Sequence, residues 1–230
     1  MLDYGTLSRL APRELRAPFV PTLPQQPILD KFRFNREAYN NLSAFDQMLF
    51  ERFGQGQRTQ LPYEQIHHAF EAQAAAQPNG MAANHLGDTI SYGELDRQAN
   101  RLATILAAHG VTSGDHVSLF LRRSIPMLVG IMAALKTGAA YVPQDVKISP
   151  ASTLAHIINV TNSRVILTLA EYQHLVPQVE GTVVLAIDEL MALPFEDAQA
   201  FRQPFEPTTP ISPDNTCYLL FTYIHSVLFV

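Results

Sequence analysis

The chain has 230 residues, with 16 Lys and Arg against 21 Asp and Glu, a formal net charge of −5 and 47% hydrophobic residues. An acidic balance argues against a module that grips a phosphate backbone, and the apolar fraction argues against disorder throughout. A single cysteine, Cys217, cannot make an internal disulfide, so a cystine-stapled secreted module is excluded and a reducing, cytoplasmic setting is expected.

Asp3, Arg9, Arg13 and Glu14 interrupt the apolar residues of the N-terminus, which leaves no signal-peptide core. Pro12, Pro18, Pro21, Pro24 and Pro27 then forbid regular helix and predict an extended lead-in. From Asn35 to Phe53, apolar residues at Tyr39, Leu42, Phe45, Leu49 and Phe53 predict one amphipathic helix stopped by Gly54.

From Leu61 the chain alternates helix and strand. Tyr63–Gln77 is helical in pattern and ends at Pro78-Asn79-Gly80. Two short extended runs flank Gly87-Asp88, a hairpin turn pair. Ser91 and Glu94 form a capping box, and Tyr92, Leu95, Ala99, Leu102, Leu106 and His109 then mark one buried stripe that ends at Gly110. Strands are expected at 116–121, 139–143, 164–169 and 183–187, with helices from Ser124 to Lys136, from Ser149-Pro150 to about Thr161, and near Asp188–Leu193.

Five prolines between Pro194 and Pro213 predict a long surface connection. The final 15 residues, from Thr216, are rich in aromatic and β-branched types and too short to span a bilayer. This alternation predicts an α/β fold with a mainly parallel sheet flanked by helices.

Nucleotide and catalytic signatures are sparse. No G-x-x-x-x-G-K loop occurs, and the run from Gly54 through Gly56 to Thr59 follows a helix and lacks its third glycine, which fits a plain loop. No histidine pairs with Cys, Asp or Glu at zinc spacing, and adjacent His67 and His68 should point about 100° apart on a helix. Cys217, in an apolar run without an activating partner, reads as a buried inert thiol. Arg122-Arg123 fits a solvated pair better than an anion contact. The three lysines are Lys31, Lys136 and Lys147, so the last 83 residues offer none to steady a developing phosphate charge.

Three stretches, in order, carry a resemblance. Ile90-Ser-Tyr-Gly-Glu-Leu95 with Asn100-Arg101-Leu102-Ala103 is one. Gly114-Asp115-His-Val117 through Arg123-Ser124 is the second, and Leu135-Lys-Thr-Gly-Ala-Ala-Tyr-Val-Pro-Gln-Asp145 the third. Together they resemble the N-terminal part of an AMP-forming adenylation domain, nearest to the amino-acid-activating domain of nonribosomal peptide synthetases. The resemblance spans Leu61 to about Thr222 and implies a partial N-terminal subdomain of the adenylate-forming fold. Gln144 and the residue after Asp145 depart from the pattern at positions that carry packing rather than chemistry.

For the intact family the resemblance implies ATP and Mg, an amino acid activated to aminoacyl-AMP with release of pyrophosphate, and transfer to a phosphopantetheine thiol on a carrier domain. Thr222 is the one position it carries to a nucleotide site, as a remnant of the glycine-rich phosphate loop. The family's T-S-G-T-T-G run is replaced here by Tyr-Ile-His-Ser-Val-Leu-Phe-Val, and no glycine follows Gly181.

These features divide the chain into a lead-in (1–60), the family segment (61–222) and a non-family apolar tail (223–230). They predict a truncated, catalytically incompetent chain that binds no cofactor of its own. The alternative is a non-catalytic interaction module or decoy that associates with a full-length synthetase.

Overall fold

The computed structural model describes residues 36–54, 62–194, 201, 203–221 and 227–229. The proline-rich lead-in, Lys31, the Gly56–Thr59 run, Thr222 and most of the tail after it lie outside the described residues. The chain divides between Gln60 and Leu61 into two units.

In the first unit the single expected helix is two: α1 (Arg36–Asn40) and α2 (Ala44–Phe53). Ser43 breaks it. Its backbone is extended, and its hydroxyl accepts from Asp46 N at 3.1 Å, so a new helix starts there. Tyr39 donates its hydroxyl to the Glu51 carboxylate and sets its ring edge-on to Phe50 at 5.5 Å, which joins the two helices. No residue of α2 is buried, and Phe45 and Phe53 are 64% and 70% exposed. The stripe read from the sequence is therefore present but uncovered among the described residues.

The second unit opens with α3 (Ile66–Ala76) and a hairpin of β1 (Met81–His85) and β2 (Asp88–Ser91). Asp88 pairs with His85, so the two-residue loop is Leu86-Gly87, one position earlier than Gly87-Asp88. Both loop residues have positive φ, +55° and +100°, the geometry whose twist matches a tight hairpin.

Helix α4 (Tyr92–Ala108) follows, capped by Ser91 Oγ accepting from Glu94 N at 3.2 Å. Only half of the expected capping box is described: the Glu94 carboxylate accepts from Arg97 and Gln98 instead. His109 caps the far end and is exposed, off the stripe that Leu95, Ala99, Leu102 and Leu106 bury.

Strands β3 (His116–Phe120), β4 (Ala140–Gln144), β5 (Val165–Thr168) and β6 (Val183–Ala186) form an all-parallel sheet in the order β4-β3-β5-β6. Helix α5 (Ile125–Thr137) links β3 to β4. Helix α6 (Ala151–Thr161) links β4 to β5, and a 3₁₀ turn (Ala170–Leu175) leads on to β6 and α7 (Ile187–Ala192).

The two-residue period of the strands sorts the core into two layers. Val117, Leu119, Val165 and Leu167 pack with α4, α5 and α7, whereas Phe120, Val142 and Ile166 pack with Leu154, Ile157 and Ile158 of α6. Helices thus cover both faces, which explains why β5 is buried at every position.

Gly130 lets α5 lie close on the sheet: a Cβ there would meet Leu119, Leu167 and Ile187 at 3.2–3.3 Å. Gly138, at φ +79°, ends the helix in the left-handed region as its sequence position predicted.

The 194–213 run is not wholly a surface connection. Phe201 is buried and Phe205 packs on the first core layer. Asn100 holds both, donating to Phe201 O at 3.1 Å and accepting from Phe205 N at 3.3 Å. Arg101 donates to the carbonyls of Leu190, Met191 (3.1 Å) and Leu193 (2.9 Å), closing the C-terminal end of α7.

Beyond β4, Tyr141 N donates to Cys217 O at 3.1 Å and Tyr141 bridges Tyr218 in parallel, with the two rings stacked at 5.6 Å. This contact places β7 (Leu219–Phe221) alongside β4, and β8 (Val227–Phe229) pairs antiparallel with β7. No described helix is long and apolar enough to cross a membrane.

Candidate functional site

The connection after β3 runs over one face of the sheet through α5, and that after β4 runs over the other through α6. Chain segments leaving neighbouring strands for opposite faces open a crevice at the strands' C-terminal ends. A cleft of about 980 Å³ lies there, lined by Arg122, Arg123 and Ser124 after β3, Gln144 and Asp145 after β4, and Leu169, Glu171 and Tyr172 after β5. Phe221, the last residue of β7, and Leu86, at the hairpin tip, complete its wall.

Three polar side chains of this cleft, Arg122, Ser124 and Asp145, have identifiable partners. Ser124 Oγ caps α5 by accepting from Met127 N at 3.4 Å. Arg122 Nε lies 3.7 Å from Asp145 Oδ2, a partly exposed pair worth about 0–1 kcal/mol. Asp145 Oδ1 also accepts from Lys147 N at 2.9 Å, and Lys147 Nζ sits 5.0 Å from the centre of the buried Tyr172 ring, a cation–π contact.

The sequence treated Arg122-Arg123 as one pair and missed the carboxylate that Arg122 meets. Asp145 closes the third motif, but only the parallel register Phe120↔Gln144 brings it beside the end of β3.

The cleft has mixed apolar and polar walls. It holds no nucleophile–base pair at bonding distance among the described residues. Among the described residues no three His, Cys, Asp or Glu side chains gather at ligating distance, so they offer no all-protein metal cage. Asp145 and Glu171 are the carboxylates of the cleft, and one or two carboxylates with substrate phosphates are the usual Mg²⁺ ligands. Thr222 follows Phe221 directly in the chain and lies outside the described residues.

Other candidates sit elsewhere. Cys217 is half-buried rather than buried, and it lines a second cavity of about 230 Å³ with Gln65, His67, Ile211 and Gly138. His67 and His68 do not diverge as far as a helix wheel suggests: their rings meet edge to face at 4.4 Å, one buried and one exposed. Burial, then His68 and Lys136, pushes His67 down to about 4.

Lys136 is wholly buried and ion-paired with Glu71 of α3 and, at 3.0 Å, with Asp96 of α4. The second motif's Gly114-Asp115 is a turn, in which Asp115 Oδ2 accepts from Thr112 N at 2.8 Å.

The sequence profile of the family described as AMP-binding enzyme matches residues 70–222. Adenylate-forming reductase 06235 of Coprinopsis cinerea is 38% identical over 186 residues, covering 81% of this chain and 18% of that protein. The Dimodular nonribosomal peptide synthase of Bacillus subtilis is 33% identical over 164 residues, covering 70% of this chain and 7% of that protein. The chain therefore spans less than a fifth of the length of these curated relatives.

In three dimensions it is similar to the nonribosomal peptide synthetase FmoA3 in its AMPPNP-bound form. The TM-score is 0.67 at 26% identity, over 78% of this chain and 18% of that one. The N-terminal subdomain of Klebsiella oxytoca NpsA has the same fold, with a TM-score of 0.57 at 22% identity over 71% of this chain and 40% of that one.

Proposed function

The chain belongs to the family of AMP-binding enzymes, and from that premise we propose that residues 61–222 are the N-terminal part of an amino-acid-activating adenylation domain. In the intact domain a carboxylate oxygen attacks the α-phosphorus of ATP. Pyrophosphate leaves, and the aminoacyl-AMP passes its acyl group to a phosphopantetheine thiol with release of AMP. ATP and Mg²⁺ belong to that whole domain.

The part borne by this chain is scaffolding. It is a covered parallel sheet, a cleft at its C-terminal ends and a strand, β7, delivered to that cleft through Tyr141. A lone cysteine and a reducing cytoplasm fit such an enzyme.

Within these 230 residues the chain is proposed to be catalytically incompetent. The carrying observation is the composition of the run after β7. A phosphate loop needs glycines for close backbone approach and a lysine or hydroxyls to hold charge. Here the run Tyr-Ile-His-Ser-Val-Leu-Phe-Val supplies no glycine and no lysine, and its Val227–Phe229 pairs back onto β7.

Purified 230-residue chain should show no ATP–pyrophosphate exchange above a no-enzyme control with any of the proteinogenic amino acids. Exchange that depends on one amino acid would overturn this reading. Sequencing the full-length message across the codons for Thr222 addresses truncation: an in-frame Ser-Gly-Thr-Thr-Gly continuation supports it.

The similarity to adenylate-forming reductases favours a second reading of the parent enzyme. The acyl group would be activated in the same way and then reduced by a hydride donor bound elsewhere in that longer enzyme, rather than condensed into a peptide. Both readings assign residues 61–222 the same role.

A further inference from the structure

The 230 Å³ cavity lies where the start of α3, the end of α5 and the run leading to β7 meet. Two observations converge on it, and a third lies one helical turn beyond. Gln65, just before α3, donates to Ile211 O at 2.7 Å, fastening the helix start to that run, and its own Oε1 is buried without a hydrogen-bond partner. His67, in the first turn of α3, is 5% exposed and lines the cavity. One turn further on, Glu71 takes the buried ammonium of Lys136, which also pairs with Asp96.

We propose that the first turn of α3 is an acid-released clasp. Protonation of His67, beside a buried cation and next to a cavity that can admit water, frees the helix start together with the 211–217 run that carries β7.

The charges around His67 all bear on this. On its own helix stand His68 and Glu71. On α5 stands Lys136, whose positive charge opposes a second one, and on α4 stands Asp96, already engaged by Lys136. Glu64 and Cys217 share the cavity. Lys136 already engages Glu71 Oε1 and Asp96 Oδ1, which lessens the attraction either carboxylate offers a new imidazolium.

The sign comes from linkage. The imidazole titrates near 4 when buried and near its ordinary 6.5 when released, so the opened form binds the extra proton. The closed clasp is fully stable above pH 6.5 and loses stability as pH falls toward 4. The same two values make the opening constant rise about 20-fold between pH 7 and pH 5.

Amide hydrogen exchange of the 230-residue chain, read by mass spectrometry at pH 7 and pH 5 and corrected for intrinsic rates, tests this. Residues 64–72 and 211–217 should lose protection about 10- to 30-fold at pH 5, while α4 and β3 keep theirs. The His67→Gln variant should show the same protection at both pH values.

Equal loss across the whole unit, or pH-independent protection in the wild-type chain, would overturn the proposal. So would a pH response that persists in His67→Gln. Should that variant fail to fold, a ¹³C-histidine titration of the wild-type chain decides. An imidazole of His67 titrating well below the exposed His68 supports the clasp, and one titrating with it sinks the idea.

Discussion

At the scale of single residues, backbone conformation and close contact make separable demands, and two glycines divide them. Gly110 and Gly138 share a left-handed backbone, φ +82° and +79°. A Cβ at Gly110 meets nothing within 4 Å, whereas one at Gly138 meets Ile211 Cγ1 and Ser113 Oγ at 2.9 Å. Gly110→Ala should therefore cost only the left-handed penalty, about 1 kcal/mol. Gly138→Ala adds a clash with backbone-anchored neighbours and should cost about 3 kcal/mol. Urea unfolding of the two variants compares them directly, and equal losses would show that Ser113 and Ile211 yield without cost. The sequence marked both positions as helix stops, since a glycine after a periodic apolar run has that meaning locally. It could not mark Gly138 as crowded, because Ile211 is 73 positions away.

Among elements, the tie between helices is ionic as well as apolar. Lys136 of α5, with no exposed side-chain surface, reaches Glu71 of α3 and Asp96 of α4. Removing the cation takes the shared counter-ion from the Glu71 and Asp96 carboxylates, 18% and 16% exposed. Loss of one partner from a buried pair costs about 3–5 kcal/mol, the lower end applying to partly exposed carboxylates. Lys136→Met should thus lower unfolding stability by about 3 kcal/mol, although methionine fills much of the volume. A loss below about 1 kcal/mol would place this triad with ordinary surface pairs.

The lysine was visible in its motif, and so was the helix carrying it. Its partners were not, because a helical period says which face is buried but not which helix covers it. The same limit explains Asn100 and Arg101. Their place beside Leu102 and Ala103 was a recognisable pattern, yet their tasks, holding Phe201 and Phe205 and closing α7, depend on segments some 90 to 105 positions away. The α1–α2 break is the opposite case. Ser43 sits three residues before Asp46, a local cap signal that the longer apolar stripe masks in the sequence.

For the whole molecule, the division between Gln60 and Leu61 implies that the α/β unit carries its own core. A polypeptide of residues 61–230 should melt within about 5 °C of the full chain when followed by circular dichroism. A drop beyond about 10 °C would make residues 1–60 part of the same cooperative unit.

Order, type and approximate ends of α3 to α7 and of β1 to β6 followed from the sequence, because a period of 3.6 or 2 and its stop signals are local properties. The 3₁₀ turn at Ala170–Leu175 and the splitting of the terminal run into the antiparallel pair β7 and β8 did not. Family membership followed from three motifs in order. Tertiary structure alone decided the strand order β4-β3-β5-β6, the placing of β7 on Tyr141, the pairing of Arg122 with Asp145, the cleft that Phe221 reaches, and the burial of Lys136 and His67. Each of these is a contact between residues distant in the chain, and such contacts are chosen by competition among all the faces that could pack together, which no local pattern records.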